Sequence, residues 1–331
     1  MPVASREIHL TSRPDGMPVE SDFTVVETTV PDAAEGEIQV KNLYLSIDPA
    51  MRPRLSAGQE LNEAMGGGAI GRVVQSRNPK FSEGDLVQHR WSFREYLNSD
   101  GHGMARLDVD PTLPLTVYMH VLGGSGFVAY GGLLEIGKLQ NGEQVFVSTA
   151  AGAVGSVAVQ VAKLKGCYVI GSTGSDEKVR WLRDDLGLDA VINYKTEPIH
   201  KALKAAAPNG IDVYFDNVGG DHLDAALPRM NTLGRIPVCG MISAYNNFGS
   251  ISAPVTRLSN IIYGRVMLRG FVATDFLHLR EQFDAEMTGW LKNGQMKYEE
   301  TIYEGIENAP NALIGLLNGL NTGKMMVKLA G

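Results

Sequence analysis

One stretch constrains this chain more than any other. It runs Gln144-Val-Phe-Val-Ser148, then Thr-Ala-Ala-Gly-Ala-Val-Gly155, then a segment with apolar side chains at 157, 158, 161, 162 and 164. The first piece is a short apolar run with β-branched residues, suited to a strand buried on both faces. The last has helical spacing over Ser156–Lys165. Five further strand candidates follow, Tyr168–Thr173, Ala190–Asn193, Val213–Asn217, Arg235–Cys239 and Met267–Val272, most of them separated by helical stretches such as Glu177–Asp185 and Pro198–Ala206. Six strands with crossover segments predict an α/β fold with a doubly wound parallel six-stranded sheet, which binds ligands at the carboxyl ends of its strands.

The flanks read differently. Between about Glu7 and Arg106, β-type runs (Phe23–Thr29, Glu37–Leu45, Ala69–Gln75, Asp85–His89) alternate with turn residues such as Pro31-Asp32, Gly58 and Glu83-Gly84-Asp85. That pattern predicts a mostly β domain. After Lys297, a strand-like Glu299–Tyr303, a helix around Ala309–Leu317 and a terminal Lys324–Leu329 lie beyond an already complete sheet, so the tail is expected to return to the first domain.

At 331 residues the chain has room for two domains of ~150 residues each. With 44% hydrophobic and 20% charged residues it can bury a core. A net charge of −7 argues against nucleic-acid partners. Two cysteines, Cys167 and Cys239, cannot form a disulfide framework or a four-thiolate zinc site. The N-terminus lacks a basic-then-apolar signal layout. Leu115–Leu134 is uncharged over a membrane-like length, but Gly123, Gly124, Gly126, Gly131 and Gly132 with His120 and Ser125 lower its hydrophobicity, which predicts a buried, tightly packed segment instead. A cytoplasmic protein without membrane partners is expected.

Ala150-x-Gly152-x-x-Gly155 at the strand–helix turn matches the dinucleotide fingerprint, with alanine in place of its first glycine. Amides at the start of the helix, with its positive dipole end, can hold a pyrophosphate. An ordinary turn packed by small residues is the alternative, and the six-strand context favours the dinucleotide. About 20 residues downstream an NAD site carries an acid for the ribose 2′-hydroxyl. Here Gly171-Ser172-Thr173-Gly174-Ser175 offers none, and Lys178 supplies a cation on the following helix. NADP(H) is therefore favoured over NAD(H).

Several segments carry a family resemblance: Ala150–Ser156, Gly174–Lys178, Asn193-Tyr-Lys195, Tyr214-Phe-Asp-Asn-Val-Gly-Gly220, Cys239-Gly-Met-Ile-Ser-Ala-Tyr-Asn246, Gly323-Lys324 and Leu43–Arg52. They resemble the prostaglandin/leukotriene reductase and alkenal double-bond reductase branch of the zinc-independent medium-chain dehydrogenases/reductases, to which bacterial curcumin reductases are related. The resemblance spans nearly the whole chain. It implies a GroES-like β domain (residues 1–124 and 297–331), a Rossmann NADP-binding domain (125–296) and a homodimer. It further implies NADPH-dependent reduction of the carbon–carbon double bond of small hydrophobic α,β-unsaturated ketones and aldehydes. By motif position, Gly152, Ala153, Val154 and Gly155 contact the cofactor, with Ser172, Lys178 and Tyr194 at the 2′-phosphate end. Asn217, Cys239, Gly240, Met241, Ile242, Ser243, Tyr245, Phe271, Val272, Ala273 and Asn321 line the rest of the cleft.

Zinc-using members of the superfamily carry a cysteine and a Gly-His-Glu motif. The matching stretches here are Ser46-Ile47-Asp48 and Met65-Gly-Gly-Gly-Ala-Ile-Gly71, and no metal site is expected. His89 and His120 read as structural. Without a metal, the enolate formed when hydride reaches the β-carbon needs a hydrogen-bond donor, and Tyr245, just past the fifth strand, is the candidate. The alternative for Tyr245 is a tyrosine packing its loop. Cys239 fits a small apolar role better than a redox one, and Arg52 and Arg54 are either substrate-steering or surface residues. Ala50 stands where the family commonly has an aromatic, and Val128 where it often has threonine; both put the substrate, more than the reaction, in question. An NADPH quinone oxidoreductase and a non-catalytic NADPH-binding, redox-sensing protein are the rival functions.

Overall fold

The computed structural model describes residues 1–247 and 254–329. It comprises two units, Met1–Met119 with Glu300–Gly331, and His120–Glu299. The first opens with an antiparallel ribbon of β1 (Val3–Leu10) and β2 (Phe23–Val30), in register from Val3 opposite Val30 to Leu10 opposite Phe23. Then come β3 (Ile38–Ser46), α1 (Met51–Ser56), β4 (Ala69–Ser76), β5 (Leu86–His89), β6 (Tyr96–Ser99) and the short β7 (Ala105–Arg106).

The second unit begins with α2 (Gly124–Gly131), which runs on through a wider turn to Ile136. After it, strands and helices alternate: β8 (Gln144–Val147), α3 (Ala153–Leu164), β9 (Tyr168–Thr173), α4 (Asp176–Arg180), β10 (Ala190–Asn193), α5 (Ile199–Ala206), β11 (Ile211–Phe215), α6 (Gly220–Ala226), β12 (Met230–Val238), α7 (Ser259–Gly264), β13 (Met267–Gly270) and α8 (Arg280–Lys292). The six strands form one parallel sheet in the order β10-β9-β8-β11-β12-β13. This is the doubly wound order, and its switch point lies between β8 and β11. Val145, Phe146 and Val147 are fully buried, as a strand covered on both faces requires.

All six expected strands form. β12 starts five residues before the expected Arg235, because its register with β11 jumps between Ile211–Met230 and Val213–Arg235, and Leu233 takes φ +65°. Such a bulge breaks the alternation that a sequence pattern relies on. The glycines of the uncharged stretch let aromatic rings press onto α2: a Cβ on Gly131 would lie 2.3 Å from the Phe276 ring, and one on Gly132 would lie 2.6 Å from Phe271. Among the described residues no helix is long and apolar enough to cross a membrane.

The chain then re-enters the first unit with β14 (Glu300–Glu304), α9 (Ala309–Leu317) and β15 (Lys324–Lys328). β15 pairs antiparallel with β3, completing a sheet ordered β14-β15-β3-β4-β5-β7 with β6 also on β3. Met325, Met326 and Val327 are buried, so the tail is part of this unit's core. At its start, the ammonium of Lys324, 1% exposed, bonds Asp48 at 2.6 Å and the Ile47 carbonyl at 3.0 Å. Burial raises the Asp48 carboxyl, but Lys324, with the Ser46 hydroxyl, outweighs it and holds the group below its ordinary 3.8. A depressed carboxylate contributes stability that is present above its unfolded value and lost as pH falls through its folded one. Lys324→Met is expected to cost about 2 kcal/mol at neutral pH, discounted because Asp48 is part-exposed. The difference in urea midpoint from the parent should shrink below about pH 4.

Candidate functional site

At the switch point the chain leaves β8 through Thr149, a β-branched residue held at φ +52°. Such backbone is uncommon outside glycine and gathers at functional turns. Gly152 then starts α3 from an extended conformation, with no side chain capping the helix. Gly152, Ala153 and Val154 are part-exposed, so the first-turn amides form a cradle suited to an anion. Gly155 has no room for a side chain, since a Cβ would sit 2.1 Å from the Thr149 carbonyl oxygen. Ala150 is accommodated by the neighbouring strand, where a Cβ on Gly171 would come within 2.8 Å of the Ala150 methyl. His120 bonds the Ala153 carbonyl through Nε2 at 3.1 Å, which makes Nε2 the protonated nitrogen in this contact.

At the ends of β9 and β10 the groups that converge are cationic and phenolic. A Cβ on Gly174 would lie 2.9 Å from the Tyr194 hydroxyl and 3.3 Å from Lys195 Cε. Burial, then the charge of Lys195, lowers the Lys178 ammonium from its ordinary 10.5, so the two lysines share one neighbourhood. Asp176 accepts a 2.6 Å hydrogen bond from Asn193, and the Ser175 hydroxyl caps the backbone of Lys178. The Ser172 hydroxyl is buried, with no hydrogen-bond partner among the described residues. Lys195, which closes the Asn193-Tyr-Lys195 string, joins this group although pattern reading did not single it out.

The ends of β11 and β12 are laced together. The Asn217 amide side chain donates to the Ser148 carbonyl at 2.7 Å, and Gly219 takes φ +68° under the Met241 side chain. The backbone amides of Cys239 and Gly240 both donate to the Asp216 carbonyl, that of Ile242 to Asn217 and that of Ser243 to Val218. Tyr245 lies on the helical turn Ile242–Asn247 that comes next. Its phenol oxygen accepts the Met241 N–H at 3.3 Å, which leaves its own O–H to donate elsewhere. Burial raises it from the ordinary 10.0, so the phenol stays neutral. Burial, then Asp216, pushes the Cys239 thiol up to about 12, which removes thiolate chemistry at neutral pH.

Phe271 is committed to packing, 6.1 Å from Phe215 and 5.3 Å from Phe276 between ring centroids. Val272 is 61% exposed and Ala273 starts a short helical turn at the same strand end. Asn321 belongs to the other unit, where it donates to the Gly323 carbonyl at 2.7 Å beside Lys324. Arg52 corrects the expectation of a surface or steering role. It is 1% exposed, with Nε on the Gly16 carbonyl and Nη1 on Ser56 of its own helix, so its guanidinium ties α1 to the loop between β1 and β2.

Two family models match the chain: an N-terminal domain of oxidoreductase over residues 6–107, and a zinc-binding dehydrogenase over residues 153–293. The chain is 39% identical to the NADPH-dependent curcumin reductase of Escherichia coli (strain K12), covering 97% of this chain and 96% of that one. It is 41% identical to prostaglandin reductase 1 of Rattus norvegicus, covering 95% and 96%. The chain belongs to the zinc-independent prostaglandin and alkenal reductase branch of the medium-chain dehydrogenases/reductases. Its fold superposes on the crystal structure of CurA in complex with NADPH from Vibrio vulnificus with a TM-score of 0.93, at 39% identity, covering 98% of this chain and 99% of that one.

The stretches Ser46–Asp48 and Met65–Gly71 adjoin in the first unit, where the Ser46 amide donates to the Gly68 carbonyl at 2.9 Å. Gly67 is closely packed, and a Cβ there would lie 2.4 Å from Met51 Cε and 2.7 Å from Ser92 Oγ. Among the described residues, no three His, Cys, Asp or Glu side chains group so as to hold a metal ion. In this branch member the glycine loop is the most sterically constrained part of the site. Gly155→Ala is expected to destabilise the ligand-free protein by about 1–3 kcal/mol, seen as a lower urea midpoint.

Proposed function

We propose that this protein reduces the carbon–carbon double bond of small hydrophobic α,β-unsaturated ketones and aldehydes, with NADPH as the reductant. The observation that carries this reading is Tyr245: a half-buried, neutral phenol at the end of β12 whose oxygen already accepts one amide and whose O–H remains to donate. NADPH supplies a hydride when bound. The amides of Gly152 through Gly155 hold its pyrophosphate, and Lys178, Lys195 and Tyr194 receive its 2′-phosphate. Tyr245 donates to the substrate carbonyl oxygen as charge accumulates there, which stabilises the enolate. Support comes from the names of the relatives, NADPH-dependent curcumin reductase and prostaglandin reductase 1, and from the NADPH held by the related CurA.

Tyr245→Phe should lower kcat with a medium-chain enone about 100-fold, the usual loss for one donor to a developing oxyanion. Turnover equal to the parent's, or a quinone reduced faster while the enone is left untouched, overturns the proposal. Because burial raises the phenol, the parent's activity should hold to above pH 10 before Tyr245 ionises, in a profile of kcat against pH.

Cofactor choice provides a separate check. Lys178→Ala and Lys195→Ala should each raise KM for NADPH about tenfold, the effect of one lost charge-assisted contact, and leave KM for NADH nearly unchanged.

We also propose a homodimer built on β13. This strand is an edge of the six-stranded sheet, and Leu268 on it, with Ile262, Tyr263 and Val272 beside it, is 41–84% exposed. An open edge with apolar side chains suits pairing with a second copy.

A further inference from the structure

We propose that Asp216 is the positioning residue for Tyr245, holding the turn from which the tyrosine's segment hangs. The placement is geometric; its consequence for catalysis rests on the role of Tyr245 given above. Asp216 lies directly after β11 and is 0% exposed. Burying a carboxyl is costly unless its hydrogen bonds are satisfied. Its partners are neutral hydroxyls and amides, all on one oxygen. Oδ1 accepts from the Tyr214 hydroxyl at 2.6 Å, the Gly219 amide at 2.8 Å, the Val218 amide at 2.9 Å and the Ser148 hydroxyl at 3.4 Å. Oδ2 has no partner among the described residues.

The two hydroxyls are anchored in rigid core. The Tyr214 ring stacks on Phe146 of β8 with centroids 4.7 Å apart, and Ser148 directly follows the same strand. The two amides belong to the turn Asn217–Gly220. Gripping the Val218 and Gly219 N–H groups sets the tilt of their peptide planes, and so the direction of the carbonyls of Asn217 and Val218, which share those planes. The next segment is suspended on the Asp216 carbonyl, which takes the Cys239 and Gly240 amides, and then on these two carbonyls. Ile242 N donates to Asn217 O at 3.3 Å, Ser243 N to Val218 O at 3.2 Å and Ser243 Oγ to Val218 O at 2.6 Å. Two residues later comes Tyr245, whose phenol folds back onto Met241 N. Hydrogen bonds from the sheet's centre thus anchor Ile242 and Ser243, and two residues of backbone carry that anchorage to Tyr245. Since all four donors use one oxygen, asparagine can keep them and alanine cannot.

The test begins with ligand-free protein, isotope-labelled at the tyrosine ring carbon that bears the hydroxyl, with the Tyr245 signal assigned from Tyr245→Phe. That signal should move in Asp216→Ala and in Ser243→Ala, and return towards the parent's position in Asp216→Asn. An unmoved signal in folded Asp216→Ala overturns the proposal; should that variant not fold, an unmoved signal in Ser243→Ala overturns it. With saturating NADPH and an enone, Asp216→Ala should lose about tenfold or more in kcat, as a misplaced catalytic group does. Asp216→Asn should recover most of that loss. Asp216→Ala combined with Tyr245→Phe should be no slower than Tyr245→Phe alone, and additive losses overturn the proposal. A shifted signal together with parent-like turnover of Tyr245→Phe keeps the positioning role and removes the catalytic reading of the tyrosine.

Discussion

The pairing of β8 with β11 at the centre of the parallel sheet is the interaction on which the rest of the second unit depends. Val145, Phe146 and Val147 face Val213, Tyr214 and Phe215 residue for residue, and all six are fully buried. At roughly 1.5–3 kcal/mol for each large apolar side chain, this pairing is a rigid floor beneath the strand ends. The next residue on each strand is polar and equally buried: Ser148 on one side, Asp216 on the other. The chain passes from hydrophobic core to oriented hydrogen-bonding groups within one residue. Both the glycine turn after β8 and the Asn217–Gly220 turn after β11 start from that boundary, so their amides and carbonyls inherit its rigidity.

Much of this fold was legible because parallel strands announce themselves as short, continuous apolar runs. Tyr168–Thr173 and Ala190–Asn193 form strands with the expected limits, and the helix Ala309–Leu317 likewise. The failures have specific physical causes. β12 carries a bulge that a period-two pattern cannot show. α8 buries only Phe283 and Met287 from its own length, so its apolar stripe is too thin to stand out. Among site residues, the glycines were visible because their spacing is set by steric need. Asp216 was not, because a buried carboxyl that organises backbone has no spacing rule; only the contacts show what it gathers.

Charge placement in the first unit follows a different logic. Lys324 and Arg52 are both buried, yet each neutralises its burial cost with oxygen acceptors from the segment between Gly16 and Ser56. Between them lies Ala50, exposed at the start of α1, in a segment pinned on both sides. Ala50 therefore sits on backbone held by a buried cation on either side.

The second unit's lysines make the converse case. Burial lowers the Lys178 ammonium, and the charge of the nearby Lys195 lowers it further. A protein holds like charges together at a cost that a dianion between them removes. An acid at the end of β9 would have cancelled that repulsion permanently. Gly171-Ser-Thr-Gly174 instead carries no carboxylate of the strand, Asp176 accepts from Asn193, and Glu177 on the following helix only partly offsets the charge beside Lys178. In the proposed site for the 2′-phosphate, the missing acid and the second lysine therefore act as one feature, with selectivity set by what the strand end lacks as much as by what surrounds it.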